Sequence, residues 1–287
     1  MTTAPMSRGE GVRCSPRRGG SVEPMRLATW NVNSVRARCD RVIDWLERSQ
    51  TDVLAMQEIK CKPEQFPREP FEAAGYELAI HGLNQWNGVA IASRVGLEDI
   101  ETSFPGQPSF GKGDQEPVVE ARAIGATAGG VRVWSLYVPN GRGLDDPHYA
   151  YKLEFLRSLR EAAAGWTSQP TALVGDFNVA PLPTDIWSEE DSEAETHVTD
   201  EVRAAFHAFE DAGYEELSRR FIPDENRYTF WDYKQLRFPK NEGMRIDFAY
   251  GSAPLAHVTK GVEIQRDERK GKGASDHVPV VLEIGDL

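Results

Sequence analysis

Apolar positions along this chain follow two periods, and the points where one gives way to the other mark its elements. Arg26-Leu27-Ala28-Thr29-Trp30 reads as a buried strand. Cys39, Val42, Ile43 and Leu46 then fall at i, i+3, i+4 and i+7, the stripe of an amphipathic helix. Asp52-Val53-Leu54-Ala55-Met56 is a second strand, running out at Gln57-Glu58. Further strand-like runs fall at 76–80, 88–92, 118–124 and 131–138, with a Gly- and Pro-rich loop over 104–117.

The second half repeats this order. The run 131–138 leads into Pro139-Asn140, as the first strand ends in Trp30-Asn31-Val32-Asn33. A helix with Leu153, Leu156, Leu159 and Ala163 on one face follows, and Thr171-Ala172-Leu173-Val174 then delivers Asp176 as the earlier strand delivers Glu58. Two such halves predict an α/β fold with two packed sheets whose equivalent strand ends meet across one cleft. Glu58 and Asp176 are expected to face each other there. A helix is predicted over 200–212 with Thr199 as its N-cap. After it come an aromatic stretch, Tyr228-Thr229-Phe230-Trp231-Asp232-Tyr233, a buried strand over 244–250 with a charge inside it, and a final strand over 278–284.

Nothing resembling a linker divides the chain, so one domain is expected over 25–287. Residues 1–24, rich in Gly, Pro, Ser and Arg and without apolar periodicity, read as a disordered tail, with Met25 as an alternative start. No stretch reaches the roughly 18 apolar residues of a membrane span, and the N-terminus lacks the apolar core of a secretory signal. Cys14, Cys39 and Cys61 share no metal-ligand spacing, which fits free thiols in a reducing cytoplasm; neither a disulfide nor zinc is expected.

The net charge of -12 argues at first against a nucleic-acid partner. Much of the excess is local, however. Glu189, Glu190, Asp191, Glu193 and Glu195 fall in one run, read as a solvated loop, while Arg266, Arg269, Lys270 and Lys272 fall in another. With a screening length of about 8 Å at physiological salt, an acidic loop on a distant face barely weakens a basic rim near a site.

Three short clusters carry the chemistry: Gln57-Glu58, Gly175-Asp176-Phe177-Asn178 and Ser275-Asp276-His277-Val278-Pro279. Each lies where a strand opens or ends. In an extended segment Asp176 and Asn178 share a face while Phe177 points to the core, and Asn31 and Asn33 pair in the same way. Gly-Asp-x-Asn is also made of turn formers. Asp247 lies inside an apolar strand pattern and needs a partner, for which His277 is the candidate. A carboxylate holding a histidine fixes its tautomer and raises its pKa, which suits contact with an anionic phosphate. Glu58 fits a magnesium ligand, since Mg²⁺ takes oxygen donors and is often held by one or two carboxylates. Tyr137 ends another buried run. Together these define a metal-dependent hydrolase pattern.

Six segments in order, Trp30-Asn31-Val32-Asn33, Gln57-Glu58-Ile59-Lys60, Tyr137-Val138-Pro139-Asn140, Gly175-Asp176-Phe177-Asn178, Met244-Arg245-Ile246-Asp247 and Ser275-Asp276-His277, resemble the motifs of the exonuclease III family of AP endonucleases, within the endonuclease/exonuclease/phosphatase superfamily. The resemblance covers essentially all of 25–287. It implies a four-layered sandwich of two packed mixed sheets flanked by helices. It also implies a Mg²⁺-dependent nuclease, with Mn²⁺ as a substitute, acting in the cytoplasm (at the nucleoid) as a monomer on double-stranded DNA with abasic sites or blocked 3′ ends.

By motif, Glu58, Asn31 and Asp276 would hold the metal, with Asp176, Asn178 and His277 as an alternative second site. Asp176 would activate or orient the attacking water, Asn178 would hold it or the phosphate, Tyr137 would contact the phosphate, and His277, oriented by Asp247, would stabilise the transition state. Phe230, Met244 and Ile246 match an apolar abasic-sugar pocket. Trp231, Arg36, Trp86, Asn140 and Arg142 are the remaining candidates for DNA contact. The resemblance departs at Asn33, where some relatives have a metal-binding aspartate. Alternatives are a superfamily phosphodiesterase for RNA, inositol phosphate or phospholipid, and a catalytically silent DNA-binding module.

Overall fold

The computed structural model describes residues 24–111, 113, 116–191 and 194–287. The expected tail, apart from Pro24, and Cys14 lie outside the described residues. Twelve strands among those described are β1 Met25–Asn31, β2 Val53–Gln57, β3 Glu77–His81, β4 Val89–Ser93, β5 Glu98–Glu101, β6 Ala123–Ala128, β7 Val131–Tyr137, β8 Thr171–Asp176, β9 Tyr214–Glu216, β10 Asp247–Ser252, β11 Thr259–Ile264 and β12 Val280–Ile284.

They form two six-stranded sheets, ordered β11-β12-β1-β2-β4-β3 and β5-β6-β7-β8-β10-β9. Each has a parallel pair at its centre, β1 with β2 and β7 with β8, and antiparallel pairs elsewhere. The crossover helix is Val35–Ser49 in the first sheet and Pro147–Ala163 in the second. Position for position the two orders correspond, as the repeated sequence pattern predicts.

The layering follows from alternation along apolar strands. In β2, Val53 and Ala55 pack between the sheets with Val133 and Val174, while Leu54 and Met56 pack under Trp45 and Leu46 of the first crossover helix. In the second sheet, Trp134, Leu136 and Leu173 meet Phe155, Leu159 and Phe206 on the outer helices. Both faces of each sheet are therefore covered, which is why the central strands are apolar throughout. One buried polar fastener joins the sheets. Gln57 Nε2 donates to Ser135 Oγ at 2.9 Å, and Ser135 Oγ donates to the Met56 carbonyl at 2.9 Å, directly beside Glu58.

Several boundaries differ from the sequence expectation. The run 118–124 becomes a strand only at Ala123; Val118 makes a single bridge to Phe110 and is 53% exposed. The Glu120–Arg122 ion pair (2.6 Å) occupies the segment between. The second crossover helix begins earlier, at Pro147, because Asp146 caps it by accepting the His148 N–H at 2.8 Å. Strands β5 and β11 are sheet edges; β5 is exposed and polar apart from Ile100, and in β11 only Val262 and Ile264 alternate, too short a pattern to read. The helix Asp200–Asp211 does start at the expected Thr199 cap, whose Oγ1 accepts the Val202 N–H at 3.2 Å.

Candidate active site

The ends of the two parallel pairs open on one side of the sandwich. Asn31 ends β1, Glu58 follows β2, Tyr137 ends β7 and Asp176 ends β8. Asp247 opens β10 in antiparallel register with Asp176, and His277 lies three residues before β12, bridged to Phe230. A cavity of about 300 Å³ lies over them, with Glu58, Tyr137, Asp176, Asn178, Asp276 and His277 in its lining.

The pairs Asn31–Asn33 and Asp176–Asn178 reach this cleft by the same local device. The Asn33 N–H donates to Asn31 Oδ1 (3.0 Å) and the Asn178 N–H to Asp176 Oδ1 (2.9 Å), with φ of 42° and 51° at the two second residues. These are left-handed Asx turns, a conformation asparagine tolerates, rather than extended backbone. Turn chemistry and site chemistry thus coincide. Phe177 points into the core as expected. Gly175 is required by close approach, since a Cβ there would lie 1.9 Å from the Leu136 carbonyl oxygen.

His277 Nδ1 lies 2.8 Å from Asp247 Oδ2, which also accepts the Thr229 hydroxyl at 2.6 Å. Its Nε2 lies 3.8 Å from Asp176 Oδ2, and Asn31 Nδ2 donates to that same oxygen at 2.9 Å. Burial alone would lower the pKa of His277, but Asp247 and Asp176 outweigh it and raise it to about 10. Asp176 moves up to about 7 because burial, with Asp247 and Glu58, outweighs the pull of His277 and the Asn31 amide. Across the cleft, Glu58 accepts the Tyr137 hydroxyl at 2.6 Å and pairs with Lys60 at 2.8 Å. Burial opposes its charge, yet Lys60 and Tyr137 hold its pKa below the usual value. Tyr137 is raised well above a normal phenol, first by burial and then by Glu58, so it stays a neutral donor.

The structure brings most predicted residues together. Asp276 accepts the Asn33 amide at 2.9 Å; Asn33 in turn accepts from Lys60 at 2.7 Å, so it works through Asp276 and Lys60. Phe230, Met244 and Ile246 form one apolar side of the cavity. Asn140 donates to Asn178 Oδ1 at 3.3 Å. Trp86, 73% exposed, and Arg142 lie on a neighbouring groove that shares Tyr137 and Asn140 with the cavity. Arg36 is exposed at the start of the first crossover helix. Trp231 is a correction: its ring is fully buried against Tyr228, Phe238 and Val278, its N–H donates to Asn241, and it presents nothing to a ligand.

Other residues at the site carried no signal in the sequence. His197 Nε2 lies 3.1 Å from Asn178 Oδ1, on a helix of only four residues, Glu195–Val198. Burial, then the charge of Lys152, keeps that imidazole well below its normal pKa. The acidic run, apart from Glu193, which lies outside the described residues, is also more than a solvated loop. Glu189 pairs with Arg203 at 2.6 Å, and Asp191 pairs with Arg237 at 2.8 Å while Arg237 stacks over Trp187, all three of the latter in the cavity lining. Spacing alone offered no route to these long-range pairs.

A grouping of three metal-capable side chains among the described residues is Asp176, Asp247 and His277. Two of these three, His277 and Asp247, already hydrogen-bond each other.

A fold of two matched sheets with carboxylates, a charged histidine and amides at one cleft defines a phosphate-ester hydrolase architecture. The profile of the Endonuclease/Exonuclease/phosphatase family matches residues 28–277. Exodeoxyribonuclease III of Haemophilus influenzae is 28% identical over 269 residues, 90% of this chain and 99% of that protein. An AP endonuclease from Archaeoglobus fulgidus superposes with a TM-score of 0.83 at 32% identity, covering 92% of this chain and all of that one. A 3′ phosphatase from Neisseria, bound to a product DNA hairpin, gives 0.82 at 31% identity with 92% and 100% coverage. The chain belongs to the endonuclease/exonuclease/phosphatase family, as a hydrolase of the exonuclease III and AP endonuclease type.

Proposed function

We propose that the protein is a Mg²⁺-dependent DNA repair nuclease that cleaves the phosphodiester 5′ to abasic sites and, at the same centre, trims and cleans 3′ ends of double-stranded DNA. The observation that carries this reading is the position of His277 between Asp247 and Asp176, under an apolar side made by Phe230, Met244 and Ile246. A cationic imidazole faces the phosphate, and the apolar side accepts a sugar without a base, which offers no groups to hydrogen-bond.

The donor set fits magnesium: Glu58 is held ionised, Asp276 offers carboxylate oxygen, and Asn31 an amide oxygen. Bound there, the ion supplies positive charge against the phosphate oxygens. His277 suits a second metal poorly, because its Nδ1 is committed to Asp247 and its proton is held tightly. Asp176, its other oxygen anchored by the Asn178 N–H, orients the attacking water and takes its proton. His277 donates from Nε2 to the phosphate. Tyr137 and Asn178 fix phosphate oxygens, with Asn140 behind Asn178. Arg36, Trp86 and Arg142 grip the flanking duplex. The active species is a monomer.

The test is an end-labelled duplex with one abasic site, incubated with Mg²⁺, without it, and with EDTA. Incision on the 5′ side of the site in the first lane alone is expected. Hydrolysis of RNA or a soluble phosphate ester with the abasic duplex intact would instead select another branch of the superfamily.

A further inference from the structure

Lys152 lies on the helix Pro147–Ala163 with no exposed surface, an unusual position for a lysine. Its Nζ donates to three backbone carbonyls: Asn140 at 3.1 Å, Asn178 at 2.5 Å and Thr196 at 2.7 Å. Burial pulls its pKa down to about 7, against the pull of Asp176, yet three acceptors require three N–H donors, which the ammonium has and the neutral amine lacks. These carbonyls belong to three separate segments, following β7, following β8, and in the short helix Glu195–Val198. Each segment presents a side chain to the cavity: Asn140, Asn178 and His197. Those side chains also meet one another, since Asn178 Oδ1 takes both Asn140 Nδ2 and His197 Nε2, and the Thr196 hydroxyl donates to the Asn140 carbonyl at 2.8 Å.

We propose that Lys152 is a positioning residue for phosphodiester hydrolysis: its buried ammonium ties three loops into one geometry, so that Asn140, Asn178 and His197 meet the substrate in fixed places. A hydrophobic residue would fill the same space but take this donor from all three carbonyls, leaving Asn140 only its bond from the Thr196 hydroxyl and the loops free to separate. The ammonium hydrogen-bonds only backbone carbonyls, and its charge acts on His197 and Asp176 nearby, so its effect passes through the loops and the site rather than through binding of DNA phosphates. The inference rests on the reading that this cavity takes the scissile phosphate.

The test compares wild type, K152M, K152Q and D176N on the abasic duplex in Mg²⁺. It follows kcat and KM, affinity for uncut duplex in EDTA at several salt concentrations, and thermal melting. K152M is expected to lose kcat about 10- to 100-fold, the effect of misplacing site groups by about an ångström. Its duplex affinity and salt slope are expected to match wild type, since no phosphate contact is removed. K152Q, with two donors, is expected to fall between. A lysine needed only for the fold lowers the melting temperature yet leaves kcat unchanged well below it; that result, or the failure of both variants to fold, would overturn the proposal. Inactive wild type, or D176N as active as wild type, would count against the functional reading instead.

Discussion

The imidazole of His277 is held from one side by Asp247, 2.8 Å from Nδ1, and faces Asp176, 3.8 Å from Nε2, on the other. Asp247 thereby supplies both orientation and charge. Replacing it by Asn keeps the shape but removes the charge that raises His277. Activity of D247N is expected to fall about 10²-fold or more. Sign matters for the pH profile. His277 is now protonated up to about 10, so without Asp247 the proton leaves at lower pH and the alkaline loss of kcat moves down. An unmoved alkaline limb would remove Asp247 from this role.

Glu58 already pairs with a cation, Lys60, at 2.8 Å. E58Q is expected to weaken Mn²⁺ binding at least about 10-fold, by the standard of groups that tune metal sites, read from the paramagnetic resonance of free Mn²⁺. Unaltered affinity would place the metal elsewhere.

Trp231 and Trp86 separate packing from contact. W231A empties a buried site and is expected to cost about 3–5 kcal/mol of stability. W86A, at an exposed tip, is expected to change stability by less than about 0.5 kcal/mol while weakening duplex binding. Melting and binding curves on both variants check the pair; equal stability losses would contradict it.

His148 accepts the Gly141 N–H at 3.1 Å. Burial, with Arg122 and Arg142, pushes it down to about 3, against an ordinary value of about 6.5. Between those values the unfolded chain binds a proton that the folded chain refuses. Its contribution to stability is therefore complete above about pH 6.5 and drains away as pH falls toward 3. H148N keeps an acceptor for Gly141 without titrating, so its melting temperature should fall less steeply with acidification. A slope equal to wild type would contradict this.

The gathering of the candidate residues at one cleft was legible because each sits at the end of an apolar run or inside one: Glu58 after β2, Asp176 at the end of β8, Asp247 at the start of β10. A charge there is largely cut off from solvent and needs a partner. The repeated order of strand, helix and strand likewise anticipated the matched sheets. Trp231 misled because aromatic residues in a loop and in a core look alike in sequence; only the packing of Phe238 and Val278 on its ring decides. His197, Lys152 and the Asp191–Arg237 pair were invisible because their partners lie 12 to 46 residues away, across loops with no periodicity. The shared Asx turn at Asn31–Asn33 and Asp176–Asn178 was half legible: turn formers were evident, but not that the turn itself aims the side chains.

One phosphate site is expected to perform every hydrolysis proposed. Single-turnover rates of wild type and D176N, measured in Mg²⁺ on a duplex with an internal abasic site and on a duplex ending in a 3′-phosphate, test it most directly. Wild type is predicted to act on both, and D176N to lose both rates together by about 10²- to 10⁴-fold. Survival of either activity at near wild-type rate in D176N would contradict the account.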